Sequence, residues 1–343
     1  MRPRELPRQA ARHLAARYRY RRAHARLASL GRSSDPVIVG PWHSEVGFEV
    51  LYWIPLLRWL ERRYGIDPSR VTAISRGGAS PWYADLAASY VDLIDELSID
   101  GVRDLRERQA AEFGCQKQLR PLAEDRELIA AVAERHGLAG ARVLHPSEMF
   151  WLFRGFWAGL QPLSTVSRHT AYTPLRSEDS PPPEPLPERY IAVKLYHSSC
   201  LPDRPETRAK LGDLLEGLAR EAPLVLLESD LGIDEHRYYE AGFDGIRPTL
   251  SPRDNLAVQS SIVRGADALV TTYGGFSYLG PHLGTATVSV YTDDNFNHEH
   301  LDVMQHAVAE LESHGETPRF QVGTLGSLLA DLAAGDAVGA MAA

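Results

Sequence analysis

Residues 268–284, ALVTTYGGFSYLGPHLG, decide the fold class of this chain. The apolar, β-branched run 268–272 predicts a buried strand, and the segment that begins at Phe276 predicts a helix. Gly274 and Gly275 lie between them, at the carboxyl end of the predicted strand. Ligands of open α/β sheets bind at this position, and residues without a Cβ atom let a ligand approach the backbone closely.

Hydroxyl groups around the two glycines favour a phosphate as the ligand. They belong to Thr271, Thr272, Tyr273 and Ser277. The amides that begin a helix point outward and carry partial positive charge, which suits a phosphate. We therefore interpret residues 272–277 as a phosphate-binding loop, with a tight turn that binds no ligand as the alternative. The stretch is neither a Walker loop nor a full dinucleotide fingerprint.

Strands and helices alternate on both sides of this stretch. We predict strands at 36–40, 71–75, 190–195, 223–228, 267–272 and 286–291. We predict helices at 46–64, 81–89, 101–113, 124–137, 205–220, 252–265, 276–283 and 299–313. Near-continuously apolar strands that alternate with helices indicate parallel sheets covered on both faces. The predicted fold class is therefore α/β, with Rossmann-like domains.

The length and one linker divide the chain. A chain of 343 residues suits two domains at the usual ~150 residues each. The Pro- and acid-rich stretch LRSEDSPPPEPLPE, residues 175–188, is typical of a semi-rigid linker. We therefore expect a basic N-terminal arm at 1–34, an N-terminal domain at 35–174 and a C-terminal domain at 189–343.

The charge of the chain is unevenly distributed. Residues 1–32 contain ten Arg and one Glu, a net charge of +9, so the overall charge of −8 leaves −17 for the rest. An acidic body argues against sequence-independent binding of nucleic acid. The arm has two interpretations: a helix that lies on an anionic membrane surface, or a frayed, solvated segment.

Cysteine and hydropathy patterns indicate the compartment. The two cysteines, Cys115 and Cys200, form neither a disulfide framework nor a metal-ligand spacing. The apolar runs are too short to predict a membrane span, and the basic N-terminus precedes no apolar stretch of a secretory signal. We expect a cytoplasmic protein, peripheral at the inner membrane face if the arm binds lipid.

The stretch GPWHSEVGFEVLYWIPLLRWL, residues 40–60, supplies candidates for a general base. A helix that is apolar almost all round is buried, yet Glu45 and Glu49 come at its start, four residues apart. His43 precedes them. The functional interpretation is a base directed into a cleft. The alternative is that acids near a helix N-terminus are stabilised by the helix dipole.

Lys194 lies within a predicted buried strand, where a cation without a partner is costly. We expect it to reach the strand end and contact an anion. His197 and Ser198 follow in the loop, where they would hold the same anion, a diphosphate. The alternative for Lys194 is a salt bridge to Glu228.

Four residues in the stretch YTDDNFNHEHL, 291–301, are chemically able to bind a metal: Asp293, Asp294, His298 and His300. Their spacing matches no standard site, so we predict a polar loop that caps the following helix and no metal site. A metal-dependent hydrolase that uses these side chains is the alternative.

Two passages resemble a known family. DNLAVQSSIVRGADALVTTYGGFSYLGPHLGTATVSVY, residues 254–291, resembles the nucleotide-binding half of GT-B glycosyltransferases, nearest to the heptosyltransferase-like and fucosyltransferase-like branches. Residues 40–60 resemble the first loop and helix of their N-terminal domain. The chain departs from the heptosyltransferase pattern at one position and in one stretch: Phe48 stands where an acid follows the first-loop glycine, and residues 273–277 replace Asp-x-Gly-x-x-His.

The resemblance implies two Rossmann-like domains with parallel sheets facing across a cleft. It implies metal-independent transfer of a sugar from a nucleotide-sugar to a glycan or lipid-linked acceptor in bacterial polysaccharide biosynthesis, without a cofactor. The diphosphate would be held by Lys194, His197, Ser198, Thr272, Tyr273, Gly274, Gly275, Phe276 and Ser277. The base would be Glu49, Glu45 or His43. The alternatives are a pyruvyl or phosphoryl transferase on the same scaffold and a non-catalytic nucleotide- or glycan-binding protein.

Overall fold

The computed structural model describes residues 5–115, 117–177, 184–228, 231, 237–239, 243–293 and 295–334, with side chains from residue 10 onward. The chain forms two compact units. Unit 1 comprises Met1–Arg76, Trp82–Tyr172 and Glu299–His306. Unit 2 comprises Gly77–Pro81, Thr173–His298 and Ala307–Ala343. The predicted linker 175–188 falls in unit 2, and residues 178–183 of it lie outside the described residues.

Unit 1 contains a four-stranded parallel sheet. Its strands are β1 (Val37–Val39), β2 (Val71–Ser75), β3 (Ser89–Asp92) and β4 (Arg142–Leu144), in the order β3-β2-β1-β4. Its helices before β4 are α1 (Glu5–Gly31), α2 (Val46–Phe48), α3 (Ile54–Tyr64), α4 (Leu93–Phe113) and α5 (Ala123–Arg135). After β4 come α6 (Ser147–Trp157) and α7 (Ser164–Ser167). The five residues between α2 and α3, Glu49–Trp53, form a π-helical turn.

Unit 2 contains a five-stranded parallel sheet. Its strands are β5 (Ile191–Lys194), β6 (Leu224–Leu226), β7 (Ala268–Thr272), β8 (Thr287–Tyr291) and β9 (Phe320–Thr324), in the order β6-β5-β7-β8-β9. Its helices are α8 (Pro205–Glu221), α9 (Asn255–Gly265), α10 (Leu279–His282), α11 (His298–Ser313) and α12 (Leu325–Ala333). Within α11, Glu299–His306 belong to unit 1, and His298 and the residues from Ala307 onward belong to unit 2.

Each sheet has one point at which the strand order reverses. In unit 1, β2 and β4 lie on opposite sides of β1, and in unit 2, β6 and β7 lie on opposite sides of β5. Loops that leave adjacent strands at such a point diverge to opposite faces of the sheet and open a crevice at the carboxyl ends. The fold therefore defines one candidate binding edge in each unit.

Five of the strands bury their side chains completely, as the sequence predicts for doubly covered parallel strands. All side chains of β1, β2, β5, β6 and β7 are buried. In unit 2, Leu211, Leu215 and Leu218 of α8 pack against this sheet. The predicted α/β fold class with parallel sheets is therefore confirmed.

Two predicted helices differ from the structure. In place of the helix 81–89 there is a short 3-10 turn, Ser80–Tyr83, then a non-helical turn, and Ser89 begins β3, where pairing with Thr72 of β2 outweighs the local helix propensity. The predicted helix 276–283 is a 3-10 turn, Gly275–Tyr278, followed by the single turn of α10. The glycine loop is therefore followed by tight turns rather than by one long helix.

The basic N-terminal segment is helical. Helix α1 runs over 27 residues, and Ala23 and Leu27 are fully buried where it lies against α6 and α3. Its Arg26 forms an ion pair of 2.6 Å with Glu148. The alternative of a frayed, solvated arm is therefore wrong.

Candidate functional site

The structure brings the predicted donor residues together at the strand-order reversal of unit 2. Lys194 is the last residue of β5 and pairs with Thr271 of the adjacent β7. The loop with His197 and Ser198 leaves β5, and the glycine loop leaves β7, so both loops lie at the same edge of the sheet.

The glycine loop exposes backbone and little else. Within residues 268–283, all of which the structure describes, Gly274 and Gly275 are partly exposed and the other residues are buried. Gly274 has φ +153°, a conformation that residues with a side chain rarely adopt, and an added Cβ atom would lie 2.9 Å from the hydroxyl oxygen of Tyr196. Gly274 is therefore required by the turn itself, whereas Gly275 has no such constraint on φ.

The hydroxyl groups of the loop hold its backbone in place. Thr272 Oγ1 donates to the carbonyl of Tyr196 and accepts from the Tyr196 amide, both at 2.9 Å. Ser277 Oγ donates to the carbonyl of Gly274 at 2.6 Å. The ring of Tyr273 packs against Phe296, with centroids 4.4 Å apart. These three side chains shape the loop.

Lys194 is fully buried beneath the loop. Its Nζ donates to Gln259 Oε1 at 2.6 Å and to the carbonyl of Leu227 at 3.2 Å. The same atom lies 4.4 Å from the centre of the Phe276 ring, a cation–π distance. Glu228, its partner in the alternative interpretation, forms a 3.2 Å ion pair with Arg247.

His197 and Ser198 are partly exposed in the neighbouring loop. His197 Nε2 lies 3.6 Å from Asp203 Oδ2, and its ring packs edge-on against Tyr239. Ser198 Oγ accepts from the amide of Leu201 at 3.1 Å. Of the predicted donor set, these two residues and the two glycines are accessible to a ligand.

In unit 1, a buried carboxylate bridges two histidines at the strand-order reversal. His43 follows β1, and His145 follows the adjacent β4. Asp125, in the first turn of α5, lies 3.0 Å from His43 Nε2 and 3.3 Å from His145 Nε2. The amide of Leu122 donates to Asp125 at 2.8 Å. The side chains of His43 and Asp125 are fully buried.

Burial in this cluster favours the neutral form of His43. Burial lowers the pKa of His43, although Asp125 opposes this change. Burial alone would raise the pKa of Asp125, but hydrogen bonds with His145 and His43 lower it well below its usual range. Nε2 of His43 faces the carboxylate and so carries the proton. Its Nδ1 is buried and has no hydrogen-bond partner among the described residues.

Glu49 is fully buried in the π-helical turn, and its carboxylate accepts three hydrogen bonds. Ser75 Oγ and the Tyr83 hydroxyl donate to Oε1, each at 2.6 Å, and Arg76 Nη1 donates to Oε2 at 3.3 Å. Burial raises the pKa of Glu49, whereas Arg76 and the other donors lower it in part. This carboxylate connects the carboxyl end of β2 with the 3-10 turn that follows it.

Glu45 lies outside the helix and is partly exposed. Its backbone is extended, with φ −64° and ψ 141°, at the N-cap of α2. Glu45 therefore does not lie on the helix with Glu49, as its predicted place at the helix start would require, because the helix begins only at Val46.

Asp125 and His145 are functional candidates that the sequence pattern does not reveal. Asp125 reads as an ordinary acid in the first turn of a helix, a position that the dipole favours. His145 follows a three-residue strand that is too short to give a clear apolar pattern. The signal available was the sequence Val-Leu-His, an apolar pair followed by a polar side chain.

Two of the four residues that would bind the metal in the hydrolase alternative contact other side chains instead. Asp293 Oδ2 forms a 3.0 Å ion pair with Arg204, and His300 Nδ1 forms a 2.6 Å hydrogen bond with the Tyr52 hydroxyl. Asp294 lies outside the described residues. Across the described part of the chain, no group of three or more His, Cys, Asp or Glu residues could hold a metal ion.

The comparisons with known proteins find glycosyltransferases among solved structures. Escherichia coli ADP-heptose LPS heptosyltransferase II is 14% identical over 90% of this chain and 100% of that chain, with a TM-score of 0.48. E. coli heptosyltransferase WaaC with ADP is 13% identical over 84% and 92%, with a TM-score of 0.44. The family 9 glycosyl transferase from Veillonella parvula DSM 2008 is 12% identical over 85% and 86%, with a TM-score of 0.42.

These structures are glycosyltransferases, the class of protein that residues 40–60 and 254–291 of this chain resemble in sequence. No protein-family model matches the chain, and no curated protein matches it.

Proposed function

We propose that this chain is a glycosyltransferase that moves a sugar from a nucleotide-sugar to a glycan or lipid-linked acceptor without a metal ion. The observation that carries the proposal is the pair of accessible glycines, Gly274 and Gly275, at the strand-order reversal of unit 2. A buried loop that exposes only backbone at such a reversal suits a ligand that binds main-chain amides.

The donor diphosphate would bind to the amides that begin the 3-10 turn. The amide of Gly275 begins the turn, where no carbonyl of the turn can accept its hydrogen, so it can donate to a phosphate oxygen. His197 and Ser198 supply further donors from the loop after β5. Thr272, Tyr273 and Ser277 would act indirectly, because they hold the loop in shape.

The same groups would stabilise the leaving group. Breaking the bond between the sugar and the diphosphate leaves negative charge on the phosphate oxygens. Fixed amide dipoles directed at this charge stabilise it without reorganisation, as in an oxyanion hole. The buried ammonium of Lys194 beneath Phe276 adds positive potential from the protein interior.

We assign activation of the acceptor to unit 1 and favour His43 as the base. Its Nε2–H group is held by Asp125, and its Nδ1 lone pair can accept the proton of an acceptor hydroxyl. Asp125 would then stabilise the imidazolium cation. Because His43 is fully buried, the proposal requires residues 40–45 to open when the acceptor binds.

The acids remain the other candidates. Glu45 is partly exposed and so is the second choice for the base. The carboxylate of Glu49 already accepts three hydrogen bonds, so Glu49 would act by positioning Arg76. The burial of both His43 and Glu49 favours one rival, a non-catalytic nucleotide-binding protein, which needs no accessible base.

Turnover of a panel of nucleotide-sugars tests the proposal. Release of a nucleoside diphosphate should occur with one donor, persist with a chelator, and fall by about 10²–10⁴-fold in His43→Asn and Asp125→Asn. Glu45→Gln should retain turnover. Binding without turnover would favour the binding protein. Transfer of a pyruvyl or phosphoryl group, or loss of turnover with the chelator, would contradict the proposal.

The proposal includes a cytoplasmic location and peripheral contact with a membrane through the Arg-rich N-terminus. A lipid-linked acceptor would be reached most easily by an enzyme held at the lipid surface.

A further inference from the structure

Helix α1 presents two large apolar side chains to solvent. Leu14 is 68% exposed and Tyr18 is 62% exposed, and they lie one turn apart on the same face. Among the residues whose side chains the structure describes, these two are the exposed large hydrophobic residues. Arg17 and Arg21 are also exposed and follow each of them by three positions. We call these four residues the α1 face.

The opposite side of the helix is attached to unit 1, so the orientation of the α1 face is fixed. Ala23 and Leu27 are fully buried. Arg26 pairs with Glu148 at 2.6 Å, and the guanidinium of Arg22 lies 5.3 Å from the Trp151 ring centre. Packing, apolar burial and two polar contacts therefore hold α1 in place.

The charge of the chain would orient the molecule towards an anionic surface. The net charge of +9 on residues 1–32 opposes the net charge of −17 on the remaining residues. An anionic surface attracts the first segment and repels the acidic body, so it selects the α1 side of unit 1. This asymmetry is independent of the nucleotide site in unit 2.

We propose that the α1 face docks on an anionic lipid bilayer. Leu14 and Tyr18 would enter the boundary between headgroups and acyl chains, and Arg17 and Arg21 would contact lipid phosphates. The contact is peripheral, since no helix in the described part of the chain is long and apolar enough to cross a membrane. Apolar side chains interleaved with Arg fit a lipid interface better than an acidic protein surface, which would use the cations alone.

Vesicle flotation of the full-length protein tests this proposal. We expect binding to phosphatidylcholine vesicles that contain 30 mol% phosphatidylglycerol, and little binding to vesicles of phosphatidylcholine alone. Arg17→Glu/Arg21→Glu should lower the lipid partition coefficient by at least about tenfold. Leu14→Ser/Tyr18→Ser should also lower it, because apolar insertion is lost.

A matched control separates the α1 face from net charge. Arg126 and Arg220 are exposed on α5 and α8, and Arg126→Glu/Arg220→Glu changes the net charge by the same amount. We expect this control to bind like the wild type. The proposal would be overturned if the lipid partition coefficient fell equally in the control and the α1 variants, or if it did not fall in the α1 variants.

The other occupant to test is a second copy of the chain. Sedimentation velocity without lipid distinguishes it, since a self-associating α1 face would give a dimer that Arg17→Glu/Arg21→Glu dissociates. A dimer of this kind together with absent vesicle binding would overturn the membrane proposal. Thermal unfolding of each variant should match the wild type, because all the changed side chains are exposed. A failure of the nucleotide experiments leaves this test unaffected.

Discussion

His43 and Glu49 show how burial changes the chemistry of single residues. The sequence places both near a helix start and cannot distinguish their environments. In the structure, Glu49 receives three donors, whereas His43 has one bound nitrogen and one buried nitrogen without a partner among the described residues. The partner of His43 is Asp125, 82 positions away, and contacts over this separation leave no local pattern.

The lowered pKa of His43 predicts acid-labile folding. The unfolded chain binds a proton at this residue below about pH 6.5, whereas the folded chain resists it, so the unfolded state binds more protons and stability falls as the pH falls. The contribution of His43 to the free energy of unfolding is complete above about pH 6.5. Below that pH it falls by up to about 1.4 kcal/mol per pH unit.

Denaturant unfolding between pH 7 and pH 5 measures this effect. His43→Asn should flatten the slope of the free energy of unfolding against pH, and His314→Asn, at an exposed histidine, should leave it unchanged. A wild-type slope in His43→Asn would show that His43 does not become protonated on unfolding.

At the scale of elements, apolar pattern predicted the central strands and missed three at the edges. β3, β4 and β9 lie at sheet edges, and each contains exposed or partly exposed residues, so the continuous apolar run is absent. The extended turn before α2 was also missed, because Glu45 shares the composition of a first helical turn. The carboxyl ends of the predicted strands nevertheless lie along one edge of each sheet, because the strands are parallel.

The end of β1 depends on one glycine. Gly40 has φ +120°, and an added Cβ atom would lie 2.4 Å from the carbonyl oxygen of Ile74 in β2. We expect Gly40→Ala to destabilise the protein by more than about 3 kcal/mol, because backbone strain and a clash with backbone combine.

Gly65→Ala is the control, since Gly65 has φ +63° and no atom within 4 Å of an added Cβ. It should cost about 1 kcal/mol from the left-handed conformation alone. Equal losses in the free energy of unfolding for the two variants would contradict the predicted clash.

At the scale of the whole molecule, two units carry different parts of the proposed reaction. In that proposal, unit 2 would supply backbone amides for a diphosphate, and unit 1 would supply His43, which Asp125 holds. Composition indicated two domains and an uneven charge, but it could not assign these roles, because they depend on which loops share a sheet edge.

Nucleotide binding at the glycine loop is the central claim. Gly275→Val places a side chain on the accessible backbone without a positive φ to strain it. Gly212→Val on α8 is the matched control, since Gly212 is partly exposed and an added Cβ there has no atom within 4 Å. Both variants should fold, as thermal unfolding would show.

The measurement that tests this claim most directly is titration calorimetry of ADP, GDP, UDP and TDP, with a chelator present, against the wild type and both variants. We predict that the wild type and Gly212→Val bind one of these nucleotides with equal affinity. Gly275→Val should bind it at least about tenfold more weakly, a loss of about 1.4 kcal/mol. Binding of none of them by the wild type, or unchanged affinity in folded Gly275→Val, would contradict the account.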